Sequence, residues 1–132
     1  MARPPSDQPT DGELEILKVL WNSGPSELGQ ICTRLRERRQ VATTTVATML
    51  KVMLEKGLVR RTGNPRRYLW AAARGEKATS KRLLRRFVDR VFDGSAHHLV
   101  AHLLEDGRLS NEDRDQIRRA LDQARESGRN RT

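Results

Sequence analysis

Residues 41–57 read VATTTVATMLKVMLEKG, and what this stretch forms decides the fold. β-Branched residues lose rotamer freedom in a helix and favour strands, so three consecutive threonines are an unusual way to begin one. Yet Val46, Leu50, Met53 and Leu54 recur at helical spacing, and Gly57 suits the left-handed residue that ends a helix. The pattern predicts a helix that starts near Thr43 or Thr44, with Thr43 as a fitting N-cap, and stops at Gly57.

Toward the N-terminus, Leu28, Ile31, Cys32 and Leu35 make the stripe of a preceding helix that ends in RERRQ. Pro25-Ser26-Glu27 restarts the chain, with Ser26 the expected N-cap. Earlier still, Thr10-Asp-Gly-Glu13 fits a capping box, and Leu14, Ile16, Leu17, Leu20 and Trp21 follow on one helix that ends near Gly24. Toward the C-terminus, LVRRT and RYLWA flank Gly63-Asn64-Pro65-Arg66, which predicts a β-hairpin. Three helices and then a basic hairpin is the order of a winged helix-turn-helix, in which the third helix enters the DNA major groove.

The charge supports this order. The chain carries +9 with a pI near 10.9, which favours a polyanionic partner, nucleic acid or an anionic membrane surface. Between Arg34 and Arg67 ten Lys and Arg stand against Glu37 and Glu55, leaving +8; the remainder is nearly balanced at +1. A charge run is commonly a solvated face, but this concentration points to a binding surface. Aromatics at 4% argue against a single-strand stacking platform.

The threonines then have a use. N-terminal residues of a recognition helix meet base edges, and short side chains let the backbone come close. Thr43, Thr44, Thr45, Ala47 and Thr48 form the expected base-reading surface, a threonine methyl suiting a thymine methyl. Lys51, one turn later, and the wing residues Arg60, Arg61, Arg66 and Arg67 are expected on phosphates, with Ser26 at the start of the second helix. The plainer reading is that Thr43 is only a cap and Thr45 partly buried beside Val46. It leaves Thr44, Ala47 and Thr48 unexplained.

After Ala73 three more amphipathic helices are expected. The first carries Leu83, Leu84, Phe87, Val88, Val91 and Phe92; Asp93-Gly94-Ser95 breaks it, and Ser95 can cap the second, with Ala96, Leu99, Val100 and Leu103. Ser110-Asn-Glu-Asp113 resembles another capping box, before Ile117, Ala120, Leu121 and Ala124. About 50 residues on single stripes cannot enclose much core, so this part is expected to dimerise with two-fold symmetry. Leu83, Leu84, Phe87, Val88, Val91, Phe92, Leu99, Leu103, Ile117 and Leu121 are the expected contacts. The fold class is therefore mainly α with a small β-hairpin: a leader over 1–9, a winged helix-turn-helix over 10–73, a three-helix dimerisation domain over 74–126 and a flexible tail over 127–132.

The residues ATTTVATMLKVMLEKGLVRR, NPRRYLWAA and FDGSAHHLVAHLLEDGRLSNEDRDQIRRAL resemble the penicillinase repressor family, which controls β-lactamase, methicillin-resistance and copper-transport genes. The similarity covers roughly 10–125. It implies a homodimeric repressor that blocks transcription initiation from palindromic operators with TACA/TGTA-like half-sites. It places base reading on Thr44, Thr45, Ala47 and Thr48, and backbone contacts near Lys51, Arg60, Arg61, Arg66 and Arg67. Ala47 stands where many relatives carry a long polar or basic side chain, so base preference is expected to differ. In the antibiotic-responsive branch a signalling protease cuts an Asn-Phe pair in the fifth helix; here the matching pair is His102-Leu103. The copper branch carries a cysteine-rich tail, and ARESGRNRT has none.

Other sites carry weaker signals. His98 and His102 at i, i+4 can chelate a transition metal, but no distant third ligand stands out, and neither metal nor cofactor is expected. Cys32 sits on an apolar stripe as a small hydrophobe. Trp21 and Trp70 read as packing residues. No phosphate loop or nucleophile elbow occurs, so no catalytic residue and no enzyme is expected. MARPPSDQPT lacks an apolar signal region, and no run approaches the roughly 18 apolar residues that span a bilayer; a soluble, cytoplasmic protein without membrane partners is expected. Two alternatives stand: a winged-helix module that binds an acidic protein, and a protein whose His98 and His102 serve a metal, in regulation or catalysis.

Overall fold

The structure is a computed structural model that describes residues 8–129; most of the expected leader and the last three residues of the expected tail lie outside them. Six helices and one hairpin follow in the order α1 (Asp11–Ser23), α2 (Leu28–Arg36), α3 (Thr43–Lys56), β1 (Val59–Asn64), β2 (Arg67–Ala72), α4 (Glu76–Val91), α5 (Ala96–Glu105) and α6 (Asn111–Arg129). The fold is the expected one, mainly α with a two-stranded antiparallel hairpin, and its N-terminal part is a winged helix-turn-helix. Two compact units divide between Leu83 and Leu84, inside α4. The sequence places a boundary earlier, after Ala73, where the hairpin pattern ends and helical patterning begins. α6 continues to Arg129, so the helix extends over the first three residues of the expected tail.

The first unit holds one core. Ile16, Leu17 and Leu20 of α1, Ile31, Cys32 and Leu35 of α2, and Val46, Leu50 and Met53 of α3 are buried together with Leu58, Val59 and Trp70. The helical spacing read in the sequence selects most of this set; Leu54 is only half-buried. Thr10 and Glu13 make both bonds of the expected capping box, Glu13 N donating to Thr10 Oγ1 at 3.2 Å and Thr10 N donating to Glu13 Oε1 at 2.9 Å. α3 ends at Gly57, whose φ of 78° is left-handed, as expected.

Two caps differ from expectation. Ser26 does not cap α2. Its N–H donates to the Trp70 carbonyl and its carbonyl accepts from Trp70 N, both at 2.8 Å, so its backbone pairs with β2. Glu27, one residue later, has the extended backbone of a cap, and forms the capping box with Gln30. Thr43 does not cap α3 either. The cap position falls on Ala42, which has no side chain to offer, and Thr43 is the first helical residue.

The hairpin pairs Val59 with Ala72 through Asn64 with Arg67, leaving Pro65-Arg66 at the turn. Asn64 Oδ1 accepts from Arg66 N at 3.0 Å, a local bond that holds the turn. Gly63 has φ 92°, and a Cβ there would stand 2.5 Å from the Arg67 carbonyl oxygen. Gly63→Ala is therefore expected to unpair the tip of the wing, seen as loss of amide-exchange protection at Gly63–Tyr68 with α1–α3 unaffected. Unchanged protection would show that the turn relaxes around a methyl group.

The second unit encloses little. No residue of α4 or α5 is buried, and Leu84, Phe87, Val91, Val100, Leu103, Leu104, Ile117 and Leu121 are all exposed. Its helix ends are nevertheless well formed. Asp93 (φ 50°) and Gly94 (φ 84°) make the break after α4, Ser95 Oγ accepts from His98 N at 3.2 Å, and Ser110 and Asp113 make both bonds of the expected capping box. Phe92 lies edge-on to Phe87 and tilted against the His102 ring, at 5.8 and 5.3 Å.

Candidate nucleic-acid interface

α3 has two faces with different chemistry. Val46, Leu50 and Met53 pack inward, which turns Thr43, Thr44, Thr45 and Thr48 to solvent, with Ala47 half-buried at the edge. Thr45 is exposed and does not share the burial of Val46 beside it. The exposed face is short-chained over its first two turns and becomes cationic at Lys51, as the sequence suggests. Thr48 Oγ1 donates to the Thr44 carbonyl at 2.9 Å, which leaves its lone pairs outward.

Beside α3 the wing supplies the cations. A groove of about 310 Å³ runs between the start of α2, α3 and the hairpin, lined among others by Gly29, Ala47, Lys51, Arg61, Arg66 and Tyr68. Side chains alternate along a strand. Arg61, paired with Trp70, shares the face of Tyr68 and Trp70, and its guanidinium lies 4.3 Å from the Tyr68 ring centre, a cation–π contact that fixes it over the groove. Arg60 takes the opposite face and does not line the groove, whereas Arg61, Arg66 and Arg67 do.

The segment's charge is also partly spent internally. Arg34 pairs with Glu37, Arg39 with Glu15, Lys56 with Glu13 and Arg67 with Glu27. The side chains of Lys51, Arg60 and Arg66 have no ion pair among the described residues. The Arg67–Glu27 bond, 2.6 Å, joins the wing to the cap of α2, and Arg67 is 77% exposed there. Exposed pairs contribute about 0–1 kcal/mol, so Arg67 can leave Glu27 at small cost. Ser26 offers nothing to this surface: it is 3% exposed and its hydroxyl donates to the Gly24 carbonyl at 2.8 Å.

Residues 9–123 match the model of the penicillinase repressor family. The chain belongs to that family. Its members are repressors, and the membership supports a DNA-binding repressor of transcription. A penicillinase repressor of Bacillus licheniformis is 23% identical over 116 residues, covering 88% of this chain and 91% of its own. A methicillin resistance regulatory protein of Mammaliicoccus sciuri is 19% identical over 112 residues, covering 85% and 91%. Among solved structures, a transcriptional regulator of Thermotoga maritima aligns with a TM-score of 0.50 at 21% identity, covering 92% of this chain and 78% of its own; the likeness shows the shared fold.

Cys32 is buried in the core. Trp70 is buried and Trp21 Nε1 donates to the Arg74 carbonyl at 2.9 Å. The His97 and His98 rings are tilted against each other with 6.0 Å between centres, while His102 meets Phe92. Among the described residues no group of three or more His, Cys, Asp or Glu comes together to hold a metal ion, and no helix is long and apolar enough to cross a membrane.

Proposed function

We propose that the protein is a homodimeric repressor that covers promoter DNA at a palindromic operator. The observation that carries this is the placement of the short-chained threonine face of α3 beside the unpaired cations Lys51 and Arg66 on one side of the first unit. Thr44, Thr45, Ala47 and Thr48 read base edges in the major groove. Lys51, Arg61, Arg66 and Arg67 lie on phosphates, and Arg60 reaches the backbone from the outer face of the wing. The charged groups give salt-dependent affinity for any duplex, and the threonines give preference.

The second unit supplies the pairing. Its apolar residues lie exposed along all three helices, and a second copy covers them most simply through a two-fold interface. Leu83, Leu84, Phe87, Val88, Val91, Phe92, Leu99, Leu103, Ile117 and Leu121 form it. Two heads on two half-sites then bind with the effective concentration of a linked pair. Release by a signalling protease would act at His102-Leu103 in α5. A buried partner face there favours cutting only when the dimer opens, and the replaced cleavage pair calls for a protease of different preference from that of the antibiotic-responsive branch.

The division of labour is testable by two variants. Arg66→Ala is expected to weaken operator and random duplex alike and to reduce the slope of log affinity against log salt by about 1. Thr44→Ala is expected to leave the slope and lose about 1–3 kcal/mol of discrimination at its base. Equal losses on operator and random DNA for Thr44→Ala would refute the roles given.

A further inference from the structure

We propose that Arg36 is the residue that positions the recognition helix, and so acts on base preference without itself serving as a phosphate cation. The inference rests on the DNA-binding reading of α3. Arg36 is the last residue of α2, and its guanidinium spans the turn: Nε donates to the Val41 carbonyl at 3.1 Å and Nη2 donates to Thr43 Oγ1 at 2.7 Å. No other polar side-chain contact among the described residues joins α2 to the entry of α3.

The need for such a link is plain from the cap. A helix start has N–H groups without intrahelical partners, and a Ser, Thr, Asp or Asn at the cap ordinarily fixes the backbone there. Ala42 cannot do this, and no side chain caps α3. Arg36 fixes the entry from the other side, holding the carbonyl just before the cap and the hydroxyl just after it. The planar fork of a guanidinium can make both bonds at once; a lysine ammonium on its flexible stem cannot hold the same geometry. The bond also engages the Thr43 hydroxyl, so base reading passes to Thr44, Thr45 and Thr48, whose directions are set by the turn that Arg36 braces.

Charge counting alone makes Arg36 one more cation in a basic segment, and the two roles give different results. The full-length protein, Arg36→Ala, Arg36→Lys, Thr43→Val and the double variant Arg36→Ala/Thr43→Val are compared on DNA from just upstream of the protein's own gene and on a scrambled duplex, across salt. Positioning predicts that Arg36→Ala and Arg36→Lys both lose preference about tenfold, the effect of one net hydrogen bond, with the scrambled-duplex affinity and salt slope kept. It predicts that the double variant is no worse than Arg36→Ala. Rescue by Arg36→Lys, or a salt slope shallower by about 1 in Arg36→Ala with equal losses on both duplexes, assigns Arg36 to phosphate and overturns the proposal. Amide exchange at Val46, whose N–H makes the first bond of α3 to the Ala42 carbonyl at 3.2 Å, gives the second readout. It quickens in Arg36→Ala if the turn is braced as described, even should the wild-type protein show no operator preference; unchanged exchange overturns the brace itself.

Discussion

Glu13→Ala is expected to destabilise the winged-helix unit by about 3–5 kcal/mol in urea unfolding, the cost of breaking a buried ion pair. Glu13 is 4% exposed. Its Oε1 accepts from Lys56 Nζ at 2.7 Å, with the two side chains 5% and 10% exposed, and also from the Thr10 N–H. The pair ties the start of α1 to the last turn of α3, so the capping box and the end of α3 share one carboxylate. Alanine leaves the Lys56 ammonium with only the Gln8 carbonyl at 3.5 Å, and removes half of a capping box worth about 1 kcal/mol. Against a total of about 5–15 kcal/mol for a small domain, this is a large share. Glu13→Leu combined with Lys56→Met should recover much of the loss, because apolar replacement of both partners is often neutral. A cost within about 0.5 kcal/mol, the range of an ordinary surface change, would show that the pair opens freely to water.

Leu121→Glu is expected to have the largest effect on operator binding. Leu121 is 60% exposed on α6, so the change should not disturb the fold of one chain. In a dimer the same position is covered, and an unpaired carboxylate there must be desolvated. The protein is expected to sediment at half the wild-type mass. Its operator affinity is expected to fall about 10²–10⁴-fold as the two heads become independent, while affinity for a single half-site is retained. Val91→Glu, 57% exposed on α4, should act alike. A dimer that survives both substitutions would place the interface elsewhere.

The sequence reveals what is local and periodic. The core positions of α1–α3 follow from helical spacing, the hairpin from Gly63-Asn64-Pro65, and two capping boxes from residues three apart. Less is visible where partners are distant in sequence. Nothing local marks the Glu13–Lys56 pair, since each residue reads well alone as a cap and as a surface cation. Ser26 shows the converse: its residue type fits a cap, but pairing with Trp70 across the fold claims its backbone and moves the cap to Glu27. Thr43 reads as a cap for the same reason, and its displacement by Ala42 could be found only with the turn in three dimensions. Net charge overstates the candidate surface, because four of its cations are paired with acids, three of those acids in other segments. The exposed apolar face of the second unit is the clearest success of composition: single stripes on short helices cannot close a core, and they do not.

The proposed repressor function rests on sequence-specific duplex binding by the α3 and wing surface. Fluorescence anisotropy with the DNA just upstream of the protein's own gene, against a scrambled duplex at near-physiological salt, tests it most directly. A preference of about 10³-fold or more is expected, lost when Thr44, Thr45 and Thr48 are replaced by alanine together. Absence of binding to either duplex at low salt would contradict it.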